Sequence, residues 1–208
     1  MIHIDRARCT VHSASGKVVA YNRLVLATGS RPFVPHIEGV DLPGVFLYRT
    51  IDDIFAIYDY APKVTRAAVI GGGLLGLEAA KALKDLKYRD ERGGLMDVRL
   101  RVHVIEHGPG LMHRQIDLKG ADILRQKIES LGVKVLVQKE LTKITRAGVA
   151  NAEDEDRIVL HFTEGEPLMT DMVVISAGIR PRGELAQACN LVCAPNGGVV
   201  VDERLETS

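Results

Sequence analysis

The 208 residues carry 27 basic and 27 acidic side chains, and 46% of them are hydrophobic. A chain of this length buries roughly 70% of its unfolded surface, enough for one sizeable domain or two small ones. A net charge of zero leaves no basic excess for nucleic acid or an anionic membrane, so we expect neither as a partner. No uncharged stretch reaches the roughly 20 apolar residues of a membrane span. The amino terminus lacks a signal-peptide pattern, which favours a cytoplasmic protein.

The three cysteines do not suggest a disulfide framework or a metal centre. Cys189 and Cys193 lie four residues apart and supply only half of a usual zinc site, and Cys9 is remote in sequence. We therefore expect reduced thiols, no redox thiol pair and no bound metal.

The first elements in chain order are an apolar strand and a capped helix. Residues 24–27 form a short apolar run, which predicts a buried strand. Residues 50–60 predict a helix with Thr50 as its N-cap and Asp53 at its third position. Pro62 is expected to end this helix.

Strands and helices then alternate. The patterns predict, in order, strand 66–70, a helix with its apolar face at 75, 79, 82, 83 and 86, strand 102–105, helix 117–131 and strand 133–137. In the helix at 117–131, positions 121, 124, 128 and 131 face the core, and Gly132 ends the helix. This alternation requires a parallel sheet.

Beyond residue 139 the pattern becomes β-rich. Short strands at 141–145 and 157–162, separated by the acidic segment 152–156, predict an antiparallel meander. A buried strand at 172–176 and a last apolar run at 199–201 follow. The fold class is therefore α/β, with a Rossmann-like domain made of a parallel sheet, helices and a β-meander.

A glycine-rich motif joins the strand at 66–70 to the following helix. In this position Gly71 permits a tight turn, Gly73 lets a pyrophosphate approach the backbone, and Gly76 lets the helix lie close to the sheet. The helix amino terminus would bind the phosphates. The intervening Gly72, Leu74 and Leu75 belong to the same predicted site. A tight turn without a ligand is the alternative.

An acidic residue, Glu106, ends the second strand of this unit. A carboxylate there accepts hydrogen bonds from the adenosine ribose and repels the extra phosphate of NADP, so NADH is favoured over NADPH. Glu106 follows Gly76 by 30 residues, against a usual spacing of about 20, and we assign the excess to an insertion at 88–99. The neighbouring His107, with His113 and Arg114, softens the exclusion of NADPH. The alternative for Glu106 is a solvated carboxylate at a strand end.

With these residues placed, the chain resembles the pyridine nucleotide-disulfide oxidoreductase superfamily. Residues 26–32, Leu-Ala-Thr-Gly-Ser-Arg-Pro, are similar to the first Ala-Thr-Gly motif of the flavin domain in that superfamily. Residues 176–181, Ser-Ala-Gly-Ile-Arg-Pro, are similar to the second, where the chain returns from the nicotinamide domain. Residues 48–53 and 111–117 further resemble the NADH-flavin portion of the large subunit of assimilatory nitrite reductases.

The resemblance implies NADH, or NADPH, as one cofactor and FAD in the full-length protein. It implies that Glu78, Gly178 and Ile179 lie near the nicotinamide, and that the segment Thr28, Gly29 and Ser30 contacts FAD. Siroheme and an iron-sulfur cluster would belong to other regions of a nitrite reductase. Glu78 is equally explained as a carboxylate that favours the amino terminus of its helix.

Three segments follow from the resemblance. Residues 1–49 are expected to be part of a FAD-binding domain, 50–177 the NAD(P)-binding domain, and 178–208 the return to the FAD-binding domain. Because the family's first glycine fingerprint and its closing Asp motif are missing, we expect a fragment that is inactive alone and works with the remainder of a flavoenzyme and its downstream redox centres. A homodimer is compatible with the sequence.

The resemblance implies hydride transfer from NADH to FAD, with no acid-base catalyst assigned in this chain. Three alternatives stay open: a fragment of a rubredoxin or ferredoxin reductase, a dinucleotide-binding module without catalysis, and a structural or interaction role.

Overall fold

The computed structural model describes residues 1–89, 92–148 and 157–208. The strands are β1 (His3–Asp5), β2 (Thr10–His12), β3 (Val18–Ala20), β4 (Ser30–Pro32), β5 (Val45–Leu47), β6 (Arg66–Ile70), β7 (Lys87–Arg89), β8 (Leu95–Asp97), β9 (Arg101–Ile105), β10 (Val133–Leu136), β11 (Leu141–Arg146), β12 (Ile158–Phe162), β13 (Leu168–Thr170), β14 (Met172–Ile175) and β15 (Ile179–Pro181). The helices are α1 (Ile51–Tyr60), α2 (Leu74–Lys84), α3 (Leu118–Ser130) and α4 (Glu184–Ala188), with a 3-10 turn at Ala61–Lys63.

The chain divides into two compact units, which we call the small unit (Met1–Arg31 with Ile179–Ser208) and the large unit (Pro32–Gly178). The predicted boundary at residue 49 lies inside the large unit, because β5 is hydrogen-bonded to β14 of its central sheet. Which cofactor domain each segment serves stays a prediction.

The large unit is built on a parallel sheet with the strand order β10-β9-β6-β14-β5. Every pairing in it is parallel, as the alternating pattern requires. Successive side chains of a strand point to opposite faces. In β6, Ala67 and Val69 therefore join one core, and Ala68 and Ile70 join another.

The two faces of this sheet are covered by different layers. Buried residues of α1 and α2, including Ile57 and Leu83, pack on one face with partly buried Leu124 and Ile128 of α3. The antiparallel sheet β11-β12-β13 covers the other face through residues such as Ile144 and Leu160. This three-layer α/β/β arrangement confirms the predicted fold class, including the β-meander.

Local signals placed several boundaries correctly. Thr50 caps α1, with a reciprocal capping box in which Asp53 accepts hydrogen bonds from the backbone amides of Arg49 and Thr50. Asp117 caps α3 by accepting a hydrogen bond from the Gly120 amide. Gly132 has a φ of 82°, the left-handed conformation expected of a residue that ends a helix.

The predicted strand at 24–27 is wrong. These residues have no regular secondary structure, and Val25 is 86% exposed. An apolar run becomes a strand only where a neighbouring strand accepts its hydrogen bonds, and none of the strands in the described ranges pairs with it. The last apolar run, 199–201, contributes only isolated bridges at Val199 and Val201.

The predicted buried faces of two helices are partly wrong. In α2, Leu75 and Ala82 are exposed, while the buried residues are Gly76, Leu77, Ala79, Ala80 and Leu83. The buried face is therefore shifted by about one residue, because the helix makes its close approach at Gly76, where a methyl group would overlap the carbonyl oxygen of Gly71. Leu131, at the end of α3, is 38% exposed.

The insertion at 88–99 contains the antiparallel hairpin of β7 and β8. Its charged centre, Asp90 and Glu91, lies outside the described residues, as does the acidic segment 152–156.

The small unit contains the antiparallel sheet β1-β2-β3, the pair β4 and β15, and helix α4. Its core consists of Ile4, Val11 and Cys189, with four partly buried apolar side chains around them. None of the helices in the described parts of the chain combines the length and apolar character that a membrane span requires.

Candidate functional site

The glycine-rich turn lies at the carboxyl end of β6, where the central strand of the sheet leads into α2. Gly71 has a φ of 118°, and a methyl group there would overlap the carbonyl oxygen of Ser176 at the end of β14. A methyl group at Gly76 would overlap the carbonyl oxygen of Gly71. Both positions therefore require glycine for the close approach of turn, helix and strand.

Gly73 has a different environment. A methyl group built at Gly73 would meet no atom within 4 Å. The packing of the chain itself therefore does not require a residue without a side chain at this position. Gly73 is the N-cap of α2 and offers no capping side chain. The first backbone amides of a helix have no partner inside the helix. This end of α2 is therefore an open surface with backbone donors, as phosphate oxygens require.

Glu106 follows β9 at the same edge of the sheet and is only 4% exposed. Its Oε2 accepts a hydrogen bond from the Gly72 amide at 2.6 Å, and its Oε1 accepts one from the Gly108 amide at 2.7 Å. Two charge-assisted hydrogen bonds hold the carboxylate in a single orientation beside the glycine turn. The alternative of a solvated strand-end carboxylate is wrong.

The space between Gly72 and Glu106 is tightly filled. A methyl group at Gly72 would lie 2.8 Å from Cδ2 of Leu111 and 3.0 Å from Oε2 of Glu106. The lack of a side chain at Gly72 therefore lets its backbone amide approach and bind the carboxylate of Glu106. Gly73, which is open, has no such contact.

Two histidines adjoin the carboxylate. Nδ1 of His107 lies 2.9 Å from Oε1 of Glu106, and Nδ1 of His113 lies 3.7 Å from the same oxygen. Their rings meet edge to face with centroids 5.6 Å apart. The sequence placed both residues near Glu106 but gave no sign that both would direct the same ring nitrogen to one carboxylate oxygen.

Glu78 is exposed on α2, two residues beyond the glycine motif. Burial, and secondarily the negative charge of Glu78, raise the pKa of Tyr48, which follows β5. The structure thus brings Tyr48, Glu78 and the glycine turn to one edge of the sheet. From the sequence, Tyr48 is notable only for the resemblance of residues 48–53 to the family, because its neighbours in space are remote in sequence.

The remaining predicted residues lie in several places. Leu74 and Leu75 are exposed in the first turn of α2. Gly178, with a φ of 110°, is the last residue of the large unit, and its carbonyl accepts a hydrogen bond from the Phe33 amide. Ile179 begins the second part of the small unit and is 48% exposed.

The first Ala-Thr-Gly segment lies in the small unit with part of the second motif. The Thr28 hydroxyl donates to the carbonyl of Arg182 at 2.8 Å, and the Arg182 amide donates to the carbonyl of Gly29 at 3.0 Å. Ser30 begins β4, which pairs with β15. The structure therefore joins the two motifs, while a role of Thr28, Gly29 and Ser30 in FAD binding stays a prediction.

The parallel sheet, its glycine turn and the acidic residue ending the next strand define a Rossmann-like protein. The profile of the family described as pyridine nucleotide-disulphide oxidoreductase matches residues 1–208. The chain belongs to this family. The predicted superfamily is confirmed, and with it the assignment to the oxidoreductases.

Among curated proteins, the chain is 44% identical over 207 residues to the nitrite reductase (NADH) large subunit of Escherichia coli (strain K12). It is 36% identical over 208 residues to the assimilatory nitrate reductase electron transfer subunit of Bacillus subtilis (strain 168). These matches cover 100% of the chain but 22% and 24% of the relatives. The chain thus spans about a quarter or less of their length. The predicted similarity to nitrite reductase large subunits is confirmed.

Solved structures of other reductases share the fold of this chain. The ferredoxin reductase of the CYP199A2 system from Rhodopseudomonas palustris superposes with a TM-score of 0.82 at 29% identity, covering 100% of this chain and 46% of that one. An NAD-dependent persulfide reductase from A. fulgidus gives a TM-score of 0.80 at 30% identity, covering 99% of this chain and 35% of that one.

Proposed function

We propose that the large unit binds NADH at the glycine turn and presents it to FAD in a larger flavoprotein of the nitrite reductase type. The observation that carries the proposal is the pairing of an open Gly73 with a buried, oriented carboxylate at Glu106. An ordinary tight turn explains Gly71 and Gly76. At Gly73, the N-cap of α2, Ser, Thr, Asp or Asn would serve the helix as well or better, so the turn gives no specific reason for glycine. A pyrophosphate approaching the backbone there supplies that reason.

Glu106 supports the preference for NADH. A carboxylate offers about four lone-pair sites, and two of those on Glu106 are taken by the Gly72 and Gly108 amides. One site on each oxygen is left for the two adenosine ribose hydroxyls, once the His107 ring has moved off Oε1. An additional phosphate on the ribose would face a negative charge that burial leaves poorly screened.

When bound, the two cofactors supply the redox chemistry, in which a hydride passes from the nicotinamide to the flavin. The role of this chain is to orient the dinucleotide, with the pyrophosphate at the amino terminus of α2 and the adenosine ribose at Glu106. We assign Glu78, Gly178 and Ile179 to the nicotinamide end of the site and name no acid-base residue. FAD contacts at Thr28, Gly29 and Ser30 are part of the same proposal.

The nitrite reductase assignment rests on sequence identity, which is 44% to the Escherichia coli subunit and 29% to the ferredoxin reductase. In this proposal siroheme and iron-sulfur chemistry belong to other parts of the full-length protein, which would take the electrons onward. A cytoplasmic location is part of the same proposal.

The test is a calorimetric titration of the chain with NADH and NADPH, with EDTA present to remove metal ions. Two matched glycine variants are titrated in the same way. Gly73→Ala adds a methyl group in open space, and so does Gly148→Ala, elsewhere in the large unit and also without a positive φ. We expect Gly73→Ala to weaken NADH binding by about tenfold or more, equivalent to about 1.4 kcal/mol, and Gly148→Ala to leave it unchanged. Equal affinities of the two variants would contradict the proposed pyrophosphate site.

Glu106→Gln tests the choice of nucleotide. Removing the negative charge should raise the affinity for NADPH relative to NADH by about tenfold, the order expected for one charge interaction of about 1.4 kcal/mol. An unchanged ratio would show that Glu106 does not select the nucleotide.

Hydride transfer is tested separately in the full-length flavoprotein by stopped-flow absorbance of the flavin. Rapid bleaching by NADH that Gly73→Ala slows supports transfer through this site. Binding of NADH without flavin bleaching would favour the alternative of a dinucleotide-binding module without catalysis.

A further inference from the structure

We propose that Glu106, His107 and His113 form a binding site for a divalent transition-metal ion, with Zn²⁺ as the representative ion. One carboxylate oxygen and two imidazole nitrogens lie within 4.8 Å of one another. Two nitrogens and one oxygen form a donor set that suits Zn²⁺ and its neighbours in the first transition series. The cysteine spacing predicted no bound metal, because Cys189 and Cys193 supply only half of a usual zinc site. The histidines near Glu106 were considered only as neighbours that soften the exclusion of NADPH.

Two of the three ligand separations lie on either side of the value for tetrahedral coordination. Ligand bonds of about 2.0–2.1 Å place adjacent ligand atoms roughly 3.4 Å apart around Zn²⁺. The separations from Oε1 of Glu106 are 2.9 Å to Nδ1 of His107 and 3.7 Å to Nδ1 of His113. The two imidazole nitrogens lie within 4.8 Å of each other, so both rings must turn toward a common point to bind an ion. Three protein ligands leave a fourth position for water.

The surroundings hold two of these ligands in place. Glu106 is oriented by the Gly72 and Gly108 amides, the kind of outer hydrogen bonding that stabilises metal sites. The ring of His113 lies so close to the backbone of Gly108 that a methyl group there would meet its Nδ1 at 2.5 Å. The His107 side chain is 68% exposed, whereas those of His113 and Glu106 are 25% and 5% exposed, so an ion would enter past His107.

The ion would take the place of a proton. A carboxylate only accepts hydrogen bonds, so the 2.9 Å approach of His107 Nδ1 to Glu106 requires hydrogen on that nitrogen. To ligate a metal, Nδ1 must carry a lone pair. The proton therefore moves to Nε2 if the ring is neutral, or to solvent if it is charged, and the ion links the same two atoms.

A bound ion would exclude NADH, an inference that rests on the proposed function. Oε1 of Glu106 accepts from the Gly108 amide and has one further lone pair. The ion would occupy that lone pair, which the ribose also requires. The structure therefore assigns to this site a metal that inhibits dinucleotide binding by competition.

Metal binding is measured without nucleotide, by calorimetry with Zn²⁺ and by visible absorbance with Co²⁺ at pH 8. We expect saturable binding of one ion, the absorbance bands of tetrahedral Co²⁺, and loss of about tenfold or more of Zn²⁺ affinity in His113→Gln. The control is His12→Gln, because His3 and His12 form another histidine pair, with ring centroids 5.3 Å apart, in the small unit. Equal loss in both variants, or loss in neither, would overturn the site.

Competition is then measured as the ratio of NADH dissociation constants with Zn²⁺ and with EDTA, each variant being its own reference. We expect this ratio to be well above one in wild type and in His12→Gln, and close to one in His113→Gln at the same Zn²⁺ concentration. A wild-type ratio of one with Zn²⁺ bound would overturn the competition. Failure of NADH to bind in EDTA would contradict the proposed function alone, since Zn²⁺ binding is measured without NADH.

Discussion

Replacement of Glu106 by alanine should destabilise the large unit severely, in addition to any effect on nucleotide binding. The carboxylate accepts hydrogen bonds from two backbone amides, and alanine would leave both without this acceptor. A buried donor left unsatisfied costs about 1–3 kcal/mol, so we expect a loss of about 2–6 kcal/mol. This is a large share of the roughly 5–15 kcal/mol that stabilises a typical domain.

The variant Glu106→Gln separates the effect of the negative charge on nucleotide binding from the effect of the hydrogen bonds on stability. Its amide oxygen accepts from one of the two backbone donors, while its NH₂ group faces the other. Glu106→Gln should therefore lose about half as much stability as Glu106→Ala. For this reason the nucleotide titrations use glutamine.

The assay is urea unfolding followed by far-UV circular dichroism, with amide hydrogen exchange at Gly72 and Gly108 as the local measurement. Exchange is needed because the chain contains two compact units, and a single transition then does not report the large unit alone. Glu78→Ala, at an exposed position, is the control and should change stability by no more than about 0.5 kcal/mol. If Glu106→Ala matches this control and leaves both amides protected, the structural role of the carboxylate is refuted.

Three further predictions concern the stability of the large unit. Gly76→Ala places a methyl group on the Gly71 carbonyl and should cost about 1–3 kcal/mol or more in urea unfolding; wild-type stability would contradict the close packing of turn and helix. Thr50→Ala removes one half of the α1 capping box and should cost about 0.5–2 kcal/mol, unlike a substitution at exposed Phe55. Burial, aided by two cationic neighbours, lowers the pKa of His103 below its usual 6.5. The unfolded chain then binds the proton more readily, so stability should be full above about pH 6.5 and fall at lower pH; an equally steep fall in His103→Gln would refute this assignment.

The sequence by itself determined the elements whose signals are local. The N-cap at Thr50 and the glycine that ends α3 were identified because each depends on residues within one helical turn. The order of strands and helices predicted the parallel sheet, since hydrophobic periodicity records which side of an element is buried. The glycine motif likewise indicated its own turn.

Only the tertiary structure decided which residues met across long sequence separations. Gly72 and Glu106 lie 34 residues apart, and the hydrogen bond between them orients a buried carboxylate, whereas the sequence alone left a solvated strand-end carboxylate as an open alternative. Residues 24–27 looked like a strand because their apolar character is local, but a strand exists only beside a partner. His113 reached Glu106 because Leu111 is fully buried and fixes the path of the loop between them. Hydrogen-bond partners and close packing depend on the folded path of the chain, and no local pattern encodes them.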